Sequence, residues 1–554
     1  MSAHNEDWWR GATIYQIYPR SFMDANGDGI GDLPGIIERL SHVASLGVDA
    51  IWISPFFTSP MKDMGYDVSD YRGVDPMFGA LGDFDRLVAR AHDLGLKVII
   101  DQVLSHTSDR HPWFVQSRSS RGNARADWYV WADPKPDGSP PNNWPAVFGG
   151  PAWEYDPGRG QYYLHNFLIE QPDLNFHNPD VQDALLTDMR WWLERGVDGF
   201  RLDTVNFYHH DKELRDNPPA PERQPWMLPY DMQDHVYSKT RPENIAFLER
   251  MRALTDEFDD RALLGEVGEE LRSIEVMGEY TAGDDRLHMA YSFAMLRSEY
   301  GASFFRRQIE GFRRLAPDGW PCWTFSNHDT ARPVTRWGAH AGDPTLFAEQ
   351  MLALLSVLPG TLCVYQGEEL GLPDGALEYE DLTDPIGIRF WPHNRGRDGC
   401  RTPMPWEPHA PHAGFSPEGA RPWLPVRAPH PAMSVAAQDG DPGSVLHRAR
   451  AILAHRSQSD VLRGAAFQFL DAPEPVLAIQ RGEGDGAVTA VFNLEAEPIA
   501  LALEGGSVRQ DAPLRGAQIV DGRLELAGNG YVFLSGVGAA ALLRAREHAS
   551  PEPA

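Results

Sequence analysis

The segment PDVQDALLTDMRWWLERGVDGFRLD, residues 179–203, contains a helix pattern followed directly by a strand pattern. Val181, Leu185 and Met189 recur at helical spacing, so one face of this helix would be apolar. Gly196 ends the helix pattern, as glycine commonly does. The run VDGFRLD that follows shows continuous apolar character, which is typical of a strand buried on both faces. The segment therefore predicts a helix packed against a parallel sheet.

The same unit recurs along the chain. Short apolar runs rich in β-branched and aromatic residues alternate with helix patterns, and a glycine stands between them at Gly47, Gly95, Gly196 and Gly360. There are eight such runs, at residues 12–19, 48–55, 96–104, 197–203, 262–267, 288–295, 322–329 and 361–370. Eight strand–helix units predict an α/β fold with a TIM (β/α)8 barrel. A doubly wound open sheet is the competing architecture, but no GxGxxG motif follows the first strand.

Three stretches depart from this pattern. Residues 105–175 lack periodicity and are too long for a simple loop, so we predict an irregular domain inserted after the third strand. A second long insertion follows the fourth strand at residues 207–241. Beyond about residue 459, short alternating strands with turn signals predict a C-terminal β-sandwich. We therefore predict four segments: the first part of the barrel at 1–104, the inserted domain at 105–175, the second part of the barrel at 176–458 and the C-terminal domain at 459–554.

Composition and charge disfavour several classes of protein. With 79 acidic and 50 basic residues among 554, the chain has a net charge of −29, which disfavours nucleic acid and anionic membranes as partners. Three cysteines without a paired motif argue against an extracellular disulfide framework. The N-terminus lacks a basic and apolar leader, and the longest apolar run, residues 351–358, is too short to span a membrane. We therefore expect a cytoplasmic protein without nucleic-acid or membrane partners.

Three of the predicted strands end in carboxylates. Asp203 ends the fourth strand, Glu266 the fifth and Asp329 the seventh, and these strand ends face the active-site mouth of a TIM barrel. A retaining glycosidase needs one ionised carboxylate as nucleophile and one carboxylic acid to protonate the leaving oxygen. Arg201 lies on the same side of its strand as Asp203 and would hold that carboxylate ionised with a low pKa. The alternative is that these two residues form only a structural ion pair.

The motifs around these carboxylates resemble a known family. DQVLSH, GFRLDTVN, GEVG and FSNHD resemble the four signature regions of the α-amylase superfamily, glycoside hydrolase family 13. QPDLN resembles a fifth region as written in the α-glucosidase and oligo-1,6-glucosidase branch of that family. In the order in which they are named, the five motifs occupy residues 101–106, 199–206, 265–268, 325–329 and 171–175. The resemblance extends from the first strand to RTPMPW at residues 401–406, and it implies the barrel predicted above and a retaining α-glucosidase.

The resemblance also implies a role for each matching residue. Asp203 would be the nucleophile, Glu266 the general acid/base, and Asp329 the carboxylate that stabilises an oxocarbenium-like transition state. Asp63 and Arg397 would close the pocket around the non-reducing-end glucose, which makes an enzyme act on chain ends. The remaining matching residues would contact the sugar, hold the nucleophile or wall the pocket: Tyr66, His106, Phe148, Phe167, Arg201, Thr204 and His328.

The loop DANGDGIGDL, residues 24–33, resembles a calcium-binding loop in its alternate oxygen-bearing residues. In the family branch this element is a structural divalent-cation loop, which implies Ca²⁺, or Mg²⁺ in its place, and no organic cofactor. The implied ligands are Asp24, Asn26, Asp28, the carbonyl of Ile30, and Asp32. Gly35 stands where an EF-hand needs a glutamate, which favours a static clip over a sensor, with a solvated acidic turn as the alternative. Ser105 replaces the Asn usual in the first region, which argues against an amylase-type calcium site there.

Two features suggest which substrates fit. Thr204 follows the nucleophile, and in this branch Ala or Thr at that position accompanies a preference for α-1,4 bonds. The insertion at 207–241 would crowd the acceptor side, so we expect maltose, short oligosaccharides and small aryl or alkyl glucosides as substrates. Because water or another hydroxyl can capture a glucosyl-enzyme, transglucosylation is expected beside hydrolysis. The alternatives are a relative of the trehalose synthase or sucrose phosphorylase type and a non-catalytic sugar-binding homologue. The chain is expected to be a monomer or a homodimer.

Overall fold

The structure is a computed structural model that describes residues 7–221, 228–503, 507–509, 512–535 and 544–545. Its strands are β1 (Thr13–Ile17), β2 (Ala50–Ile53), β3 (Phe57–Thr58), β4 (Asp70–Val74), β5 (Lys97–Gln102), β6 (Trp131–Ala132), β7 (Trp153–Asp156), β8 (Gln161–Leu164), β9 (Gly199–Leu202), β10 (Ala262–Val267), β11 (Met289–Ser292), β12 (Cys322–Thr324), β13 (Thr361–Tyr365), β14 (Phe467–Phe469), β15 (Val476–Arg481), β16 (Val488–Asn493), β17 (Ile499–Ala502), β18 (Ser507–Val508), β19 (Arg515–Val520), β20 (Arg523–Ser535) and β21 (Arg544–Ala545). Its α-helices are α1 (Leu33–Ser45), α2 (Leu81–Asp93), α3 (Pro112–Ser119), α4 (Pro179–Glu194), α5 (Asn244–Thr255), α6 (Ser273–Thr281), α7 (Ala302–Leu315), α8 (Pro333–Arg336), α9 (Pro344–Val357), α10 (Pro385–Phe390), α11 (Val435–Asp439), α12 (Val445–Ser457) and α13 (Asp460–Arg463).

Eight parallel strands form the barrel that the sequence predicts. Their order around the sheet is β11-β10-β9-β5-β2-β1-β13-β12. A parallel bridge between Ala290 and Pro321 joins the two ends of this sheet. Each of the eight runs predicted as barrel strands contains one of these strands. The glycine turn predicted after α4 is confirmed as well, because Gly196 has a φ of 101°.

The barrel strands are buried on both faces, as their continuous apolar sequences predict. Ile14, Trp52 and Ile99 belong to a cluster that fills the barrel interior. Their neighbours Ile51 and Ile100 point the other way and pack in the core shared with the surrounding helices. Some predicted strands are longer than the observed ones. The seventh, predicted at 322–329, ends at Thr324, because the residues after it leave the sheet to form the rim of the barrel.

The chain between β5 and α4 forms the predicted insertion, although part of it is regular. It contains α3 and a three-stranded antiparallel sheet in the order β6-β8-β7. The sequence pattern did not reveal this sheet, because its strands are only two to four residues long. Trp144, Trp153 and Leu164 form its apolar core. Leu214 and Tyr237 of the second insertion pack against that core, so the two insertions support each other.

The C-terminal region is an antiparallel sheet built around the long strand β20. One half of β20 pairs with β16 and the other half pairs with β17 and β19, so the sheet folds over a core that includes Val476, Leu524 and Val532. The predicted all-β domain is therefore confirmed, although the segment from residue 459 begins with α13 rather than a strand. In the described part of the chain, no helix is both long enough and apolar enough to cross a membrane.

Candidate active site

A cavity of about 320 Å³ opens at the C-terminal ends of the barrel strands. Ten of the residues predicted for catalysis and sugar binding line it: Asp63, Tyr66, His106, Phe148, Phe167, Asp203, Thr204, Glu266, Asp329 and Arg397. The other two, Arg201 and His328, are fully buried behind its wall. The structure thus brings the whole predicted set to one place.

Arg201 contacts three carboxyl groups at the base of this cavity. Its Nη1 lies 2.7 Å from a carboxylate oxygen of Asp203 and 2.7 Å from one of Asp101, and its Nη2 lies 2.5 Å from Glu266. The hydroxyl of Tyr291 donates to Glu266 at 2.8 Å. One guanidinium therefore holds the predicted nucleophile and the predicted acid side by side. Asp101 and Tyr291 were not predicted as site residues, although Asp101 opens the DQVLSH motif.

The pKa of Asp203 differs from the expectation. Burial raises it well above the usual carboxyl value, Arg201 lowers it, and Glu266 and Asp101 raise it further. The prediction that Arg201 would give Asp203 a low pKa is therefore wrong, because burial outweighs the effect of that guanidinium, which Asp203 also shares with two other carboxyl groups. Asp101 has a pKa of about 6, raised mainly by burial. Because three carboxyl groups are buried around one guanidinium, ionising all of them at once is unfavourable, and the cluster retains a proton.

Asp329 lies between two other guanidinium groups. Arg401 Nη2 is 2.6 Å from its carboxylate, and Arg397 Nη1 is 3.2 Å away. Burial raises the pKa of Asp329, but the neighbouring His328, Arg397 and Arg401 together lower it below the usual carboxyl range. We assign this effect to the two arginines, because burial lowers the pKa of His328 itself and leaves that imidazole neutral. Asp329 is therefore the carboxylate of the site that stays ionised.

Arg397 closes one end of the cavity. Its Nη2 lies 2.9 Å from Asp63 and 2.7 Å from Asp384, while its Nη1 reaches Asp329. The guanidinium also lies 5.0 Å from the ring centre of Phe148. The contact between Asp63 and Arg397 implied by the family resemblance is present, and it leaves the cavity blind on this side. Asp384 was not predicted, because nothing in its local sequence marks it as the partner of an arginine thirteen residues later.

Aromatic and imidazole side chains line the sides of the closed end. The rings of Tyr66 and His328 are stacked, with centroids 5.4 Å apart and planes 5° apart. The ring of His106 lies 5.1 Å from that of Phe167, and its Nε2 is 3.0 Å from the carbonyl oxygen of Tyr66. Burial lowers the pKa of His106 to about 4, so it is a neutral hydrogen-bonding group at neutral pH. Apolar rings beside neutral polar groups suit the two faces of a sugar.

The opposite side of the cavity, called here the outer wall, comes from the insertion after β9 and the loop after β10. It consists of Phe207, Leu228, Tyr230, Asp231, Gly268 and Glu270. None of these was predicted individually, since the aperiodic sequence of the insertion does not indicate which side chains face inward. Residues 222–227 of the predicted insertion lie outside the described residues.

Lys239 fastens the two parts of the outer wall together. Its ammonium group, in a side chain that is 1% exposed, donates to the Gly268 carbonyl at 2.8 Å and to the Glu270 carboxylate at 2.9 Å. It also lies 5.0 Å and 5.2 Å from the ring centres of Phe207 and Tyr230. A buried lysine with these partners joins the insertion to the loop that follows the strand of the predicted acid.

Thr204 contacts both predicted catalytic carboxyl groups. Its backbone N–H donates to Glu266 at 3.1 Å, and its hydroxyl donates to Asp203 at 3.3 Å. Its φ of 39° lies in the left-handed region, which is unusual for a β-branched residue. The hydroxyl of Ser105 lies 3.2 Å from that of Thr204 and 2.9 Å from Nδ1 of His106. Ser105, which departs from the family pattern, is therefore part of the hydrogen-bond network of the site.

The predicted cation loop is held together by its own backbone amides. Both carboxylate oxygens of Asp24 accept from backbone N–H groups, of Gly27 at 2.6 Å and Gly29 at 2.8 Å. Asp32 caps α1 by accepting from the N–H of Gly35 at 2.7 Å. Asn26, Asp28 and the carbonyl-bearing Ile30 lie on the same loop, with the side chains of Asn26 and Asp28 exposed. Within the described ranges, no three Asp, Glu, His or Cys side chains converge as they would in a preformed metal cage. The cation site therefore stays a prediction.

Comparisons with known proteins agree with this geometry. The family model described as alpha amylase, catalytic domain, matches residues 16–465. A probable α-glucosidase of Rhizobium meliloti (strain 1021) is 55% identical over 540 residues, covering 96% of this chain and 97% of the relative. An oligo-1,6-glucosidase of Heyndrickxia coagulans is 36% identical over 565 residues, covering 95% and 98%.

Solved structures are similar over the same extent. The α-glucosyl transfer enzyme XgtA matches with a TM-score of 0.90 and 53% identity, covering 95% of this chain and 99% of that one. The trehalulose synthase MutB from Pseudomonas mesoacidophila MX-45 matches with a TM-score of 0.84 and 32% identity, covering 95% and 99%. The fold, the site and these matches place the chain in one family: it belongs to the α-amylase catalytic-domain family, glycoside hydrolase family 13.

Proposed function

We propose that this enzyme is a retaining α-glucosidase that removes the terminal glucose of short α-glucosides and passes it to water or to a second hydroxyl compound. The observation that supports this most is the combination of paired carboxyl groups around Arg201 with the blind end at Arg397 and Asp63. A blind cavity admits only the end of a chain, and two adjacent carboxyl groups suit double displacement. The α-glucosidase names of the relatives support the same enzyme class.

The three carboxyl groups around Arg201 share a proton, and the reactive form is the one in which Glu266 carries it and Asp203 is a carboxylate paired with that guanidinium. In the first half-reaction, a carboxylate oxygen of Asp203 attacks the anomeric carbon while the bond to the aglycone oxygen breaks. Glu266 in its acid form gives its proton to that oxygen, so the aglycone leaves as a neutral alcohol. Arg201 fixes both groups, and Asp329, held ionised by two guanidinium groups, places negative charge beside the positive charge that develops on the sugar. The product of this step is a β-glucosyl ester of Asp203.

In the second half-reaction, Glu266 is a carboxylate and takes a proton from a water or alcohol molecule whose oxygen attacks the anomeric carbon. The bond to Asp203 breaks, and its electron pair returns to the carboxylate. Two inversions at one carbon retain the α configuration. Hydrolysis and transfer share this step, and the similarity to XgtA, an α-glucosyl transfer enzyme, supports transfer as part of the activity.

The outer wall is the basis for proposing short substrates with α-1,4 bonds. Phe207 and Tyr230 line the cavity on the acceptor side, and Thr204 lines it while contacting both Asp203 and Glu266. Maltose, small aryl glucosides and alkyl glucosides fit such a site better than long chains. We also retain the divalent cation of the 24–32 loop as a proposal, and no step of the reaction depends on it. Its ligands would be Asp24, Asn26, Asp28, the carbonyl of Ile30, and Asp32.

Proton NMR of the enzyme mixed with maltose, followed from the first minutes, tests this function. We expect α-glucose in excess of its equilibrium share at the first time points, because the reducing-end glucose leaves as both anomers and the transferred glucose leaves as α-glucose. New α-glucosidic signals should appear when an alcohol is added. Asp203→Asn should abolish both, whereas Glu257→Gln, which changes an exposed residue away from the cavity, should leave them unchanged. Maltose and other α-glucosides that all remained intact would refute the proposal.

The main competing function is isomerisation, because trehalulose synthase MutB is similar over the whole chain. An isomerase would keep the released sugar in the outer part of the cavity and reattach it through a different hydroxyl. The same NMR experiment with maltose and with sucrose separates the two functions. Conversion to a rearranged disaccharide without free glucose would favour the isomerase, and free glucose from the first time points favours the glucosidase.

A further inference from the structure

We propose that Thr204, supported by Ser105, is a positioning residue whose hydroxyl stabilises the carboxylate form of Asp203 and so speeds its departure from the glucosyl-enzyme. This inference rests on the proposed function, since it concerns the second half-reaction of that mechanism. It goes beyond the selection of bond type implied for Thr204 by the family resemblance, and it gives Ser105 a role.

The backbone at Thr204 is the first observation. Its φ of 39° is strained for a β-branched side chain, and such strain persists only where the surroundings impose it. This conformation points the N–H of Thr204 at Glu266 and its hydroxyl at Asp203 from the same residue. The strain therefore lies at a residue that contacts both the nucleophile and the acid/base.

The second observation is the arrangement of hydroxyl groups. Thr204 has one hydroxyl proton, and its neighbours are the carboxylate of Asp203 at 3.3 Å and the hydroxyl of Ser105 at 3.2 Å. An ionised carboxylate is the stronger acceptor, so the proton goes to Asp203. Ser105 then donates to Thr204 or to Nδ1 of His106 at 2.9 Å, and a chain of such bonds strengthens each member. These contacts are long, as catalytic hydrogen bonds often are before substrate binds.

The chemical consequence differs between the two half-reactions. A donor to Asp203 lowers the basicity of its carboxylate, so it makes the residue a weaker nucleophile and a better leaving group. When the bond between the anomeric carbon and Asp203 breaks, the returning electron pair is met by the hydroxyl proton of Thr204. Removing that hydroxyl should slow the second step and leave the first unchanged or slightly faster.

The test uses the isosteric variant Thr204→Val, which keeps the β-branched shape and removes the hydroxyl. With 4-nitrophenyl α-glucoside we expect kcat to fall about tenfold, the effect of one hydrogen bond to a charged group, while kcat/KM changes less than about threefold. A burst of nitrophenol and a protein mass increased by one glucosyl group should show that the intermediate accumulates. Added alcohol acceptors that raise the kcat of Thr204→Val toward that of the parent would confirm that the second step limits the variant.

Two further variants test the hydroxyl of Thr204 and its support by Ser105 separately. Thr204→Ser retains the hydroxyl and should show the burst-free kinetics of the parent. This variant tests the role of the hydroxyl even where Thr204→Val folds poorly. Ser105→Ala should give a smaller fall in kcat, and the double variant should be no slower than Thr204→Val alone, because both act through one bond. Equal losses of kcat and kcat/KM in Thr204→Val, or no burst, would overturn the inference. A parent without α-glucosidase activity would overturn the proposed function and this inference together, whereas an active parent with unshifted variants would overturn only the latter.

Discussion

At the scale of single residues, Arg397 determines the electrostatics of the blind end. It lies within 3.2 Å of Asp63, Asp329 and Asp384, so three negative charges meet at one cation. Without that cation, the carboxylates that would face the sugar would repel each other in a region with little water. The same side chain therefore shapes the cavity and keeps the ionised Asp329 in place.

Substituting Arg397→Ala should lower kcat/KM on maltose by about 100-fold or more and should also lower the melting temperature. The reason is that removing one partner of a buried ion pair costs about 3–5 kcal/mol. Steady-state kinetics and thermal unfolding measure the two effects. The control is Arg395→Ala, two residues earlier and exposed, which should change neither. Kinetics of Arg397→Ala equal to those of the parent would show that the cation is dispensable.

Single residues of the site could be predicted where a motif names them, and their electrostatics could not. Asp203, Glu266 and Asp329 follow from strand ends and motifs, and all three line the cavity. The raised pKa of Asp203 depends on burial and on Asp101, which shares Arg201 with it, and neither is visible in a local sequence. A rule for a single ion pair predicts the direction of a pKa shift from one neighbour, whereas in a buried cluster the shift is the sum of several contributions.

At the scale of elements, the outer wall depends on the attachment of the insertion through Lys239. Substituting Lys239→Met would keep an apolar stem between Phe207 and Tyr230 but would leave the Gly268 carbonyl and Glu270 without their cation. We expect the ratio of glucosyl transfer to hydrolysis to fall several-fold, because a loosened wall positions an alcohol less well and admits more water. Product analysis at fixed alcohol concentration measures this ratio.

A matched control for this prediction lies in the same insertion. Lys212 is exposed, so Lys212→Met removes the same charge from the segment without touching the wall. It should leave the transfer ratio within about 20% of the parent, a change below what one weak surface contact produces. If both variants shifted the ratio equally, net charge rather than attachment would be responsible.

The cation loop allows a second prediction at this scale. If Ca²⁺ binds there, adding it to protein treated with a chelator should raise the melting temperature, by an amount that grows with the logarithm of the ion concentration. Asp28→Ala should abolish the increase with little effect on the cation-free protein, because Asp28 is exposed and its carboxylate accepts from the local N–H of Ile30 at 2.9 Å. A melting temperature that changed with neither Ca²⁺ nor Mg²⁺ would identify the loop as a solvated acidic turn.

The elements that sequence reasoning predicted are those whose burial leaves a long pattern. Each barrel strand is a continuous apolar run, and α4 has a clear apolar face between Pro179 and Gly196. Strands β6, β7 and β8 are too short to show a period, and β6 pairs with β8 from a distant part of the insertion. The two-residue strand β3 was missed for the same reason.

At the scale of the whole molecule, the barrel and the C-terminal sheet share a buried interface along α9. Gln350 donates to the Asn493 carbonyl at 2.6 Å, and Arg481 donates to the Val357 carbonyl at 2.7 Å. Glu349, whose side chain is fully buried, lies 3.1 Å from Arg515 of the sheet. Helix α9 is therefore covered on both sides, which explains why its sequence is apolar all round rather than on one face.

Glu349 gives this interface a pH dependence. Burial raises its pKa to about 7, with Arg515 opposing, so the folded protein binds an extra proton between about pH 4.5 and pH 7. In that window the contribution of this residue to stability is lost as the pH rises. We expect Glu349→Gln to remove the loss, so the melting temperature of the variant relative to the parent should be higher at pH 8 than at pH 5. Scanning calorimetry at the two pH values measures it.

The control for the interface prediction is Glu310→Gln, which changes an exposed carboxylate on α7. Its melting temperature relative to the parent should be the same at both pH values. A difference for Glu349→Gln that did not change with pH would mean that Arg515 keeps the carboxylate ionised throughout. The order of domains along the chain was predictable from periodicity, whereas this contact joins residues 166 positions apart and required the structure.

The blind end at Arg397 also fixes the order in which molecules leave. Under the proposed function, Arg397 and Asp63 block one end of the cavity in the described part of the chain, so we expect whatever occupies that end to leave through the outer part. The aglycone must therefore depart before the nucleophilic water enters, and glucose must depart last, through the space that the next substrate needs. Free glucose would then compete with the incoming chain end for the closed end of the cavity. Accumulating glucose would therefore inhibit the enzyme without any separate regulatory site.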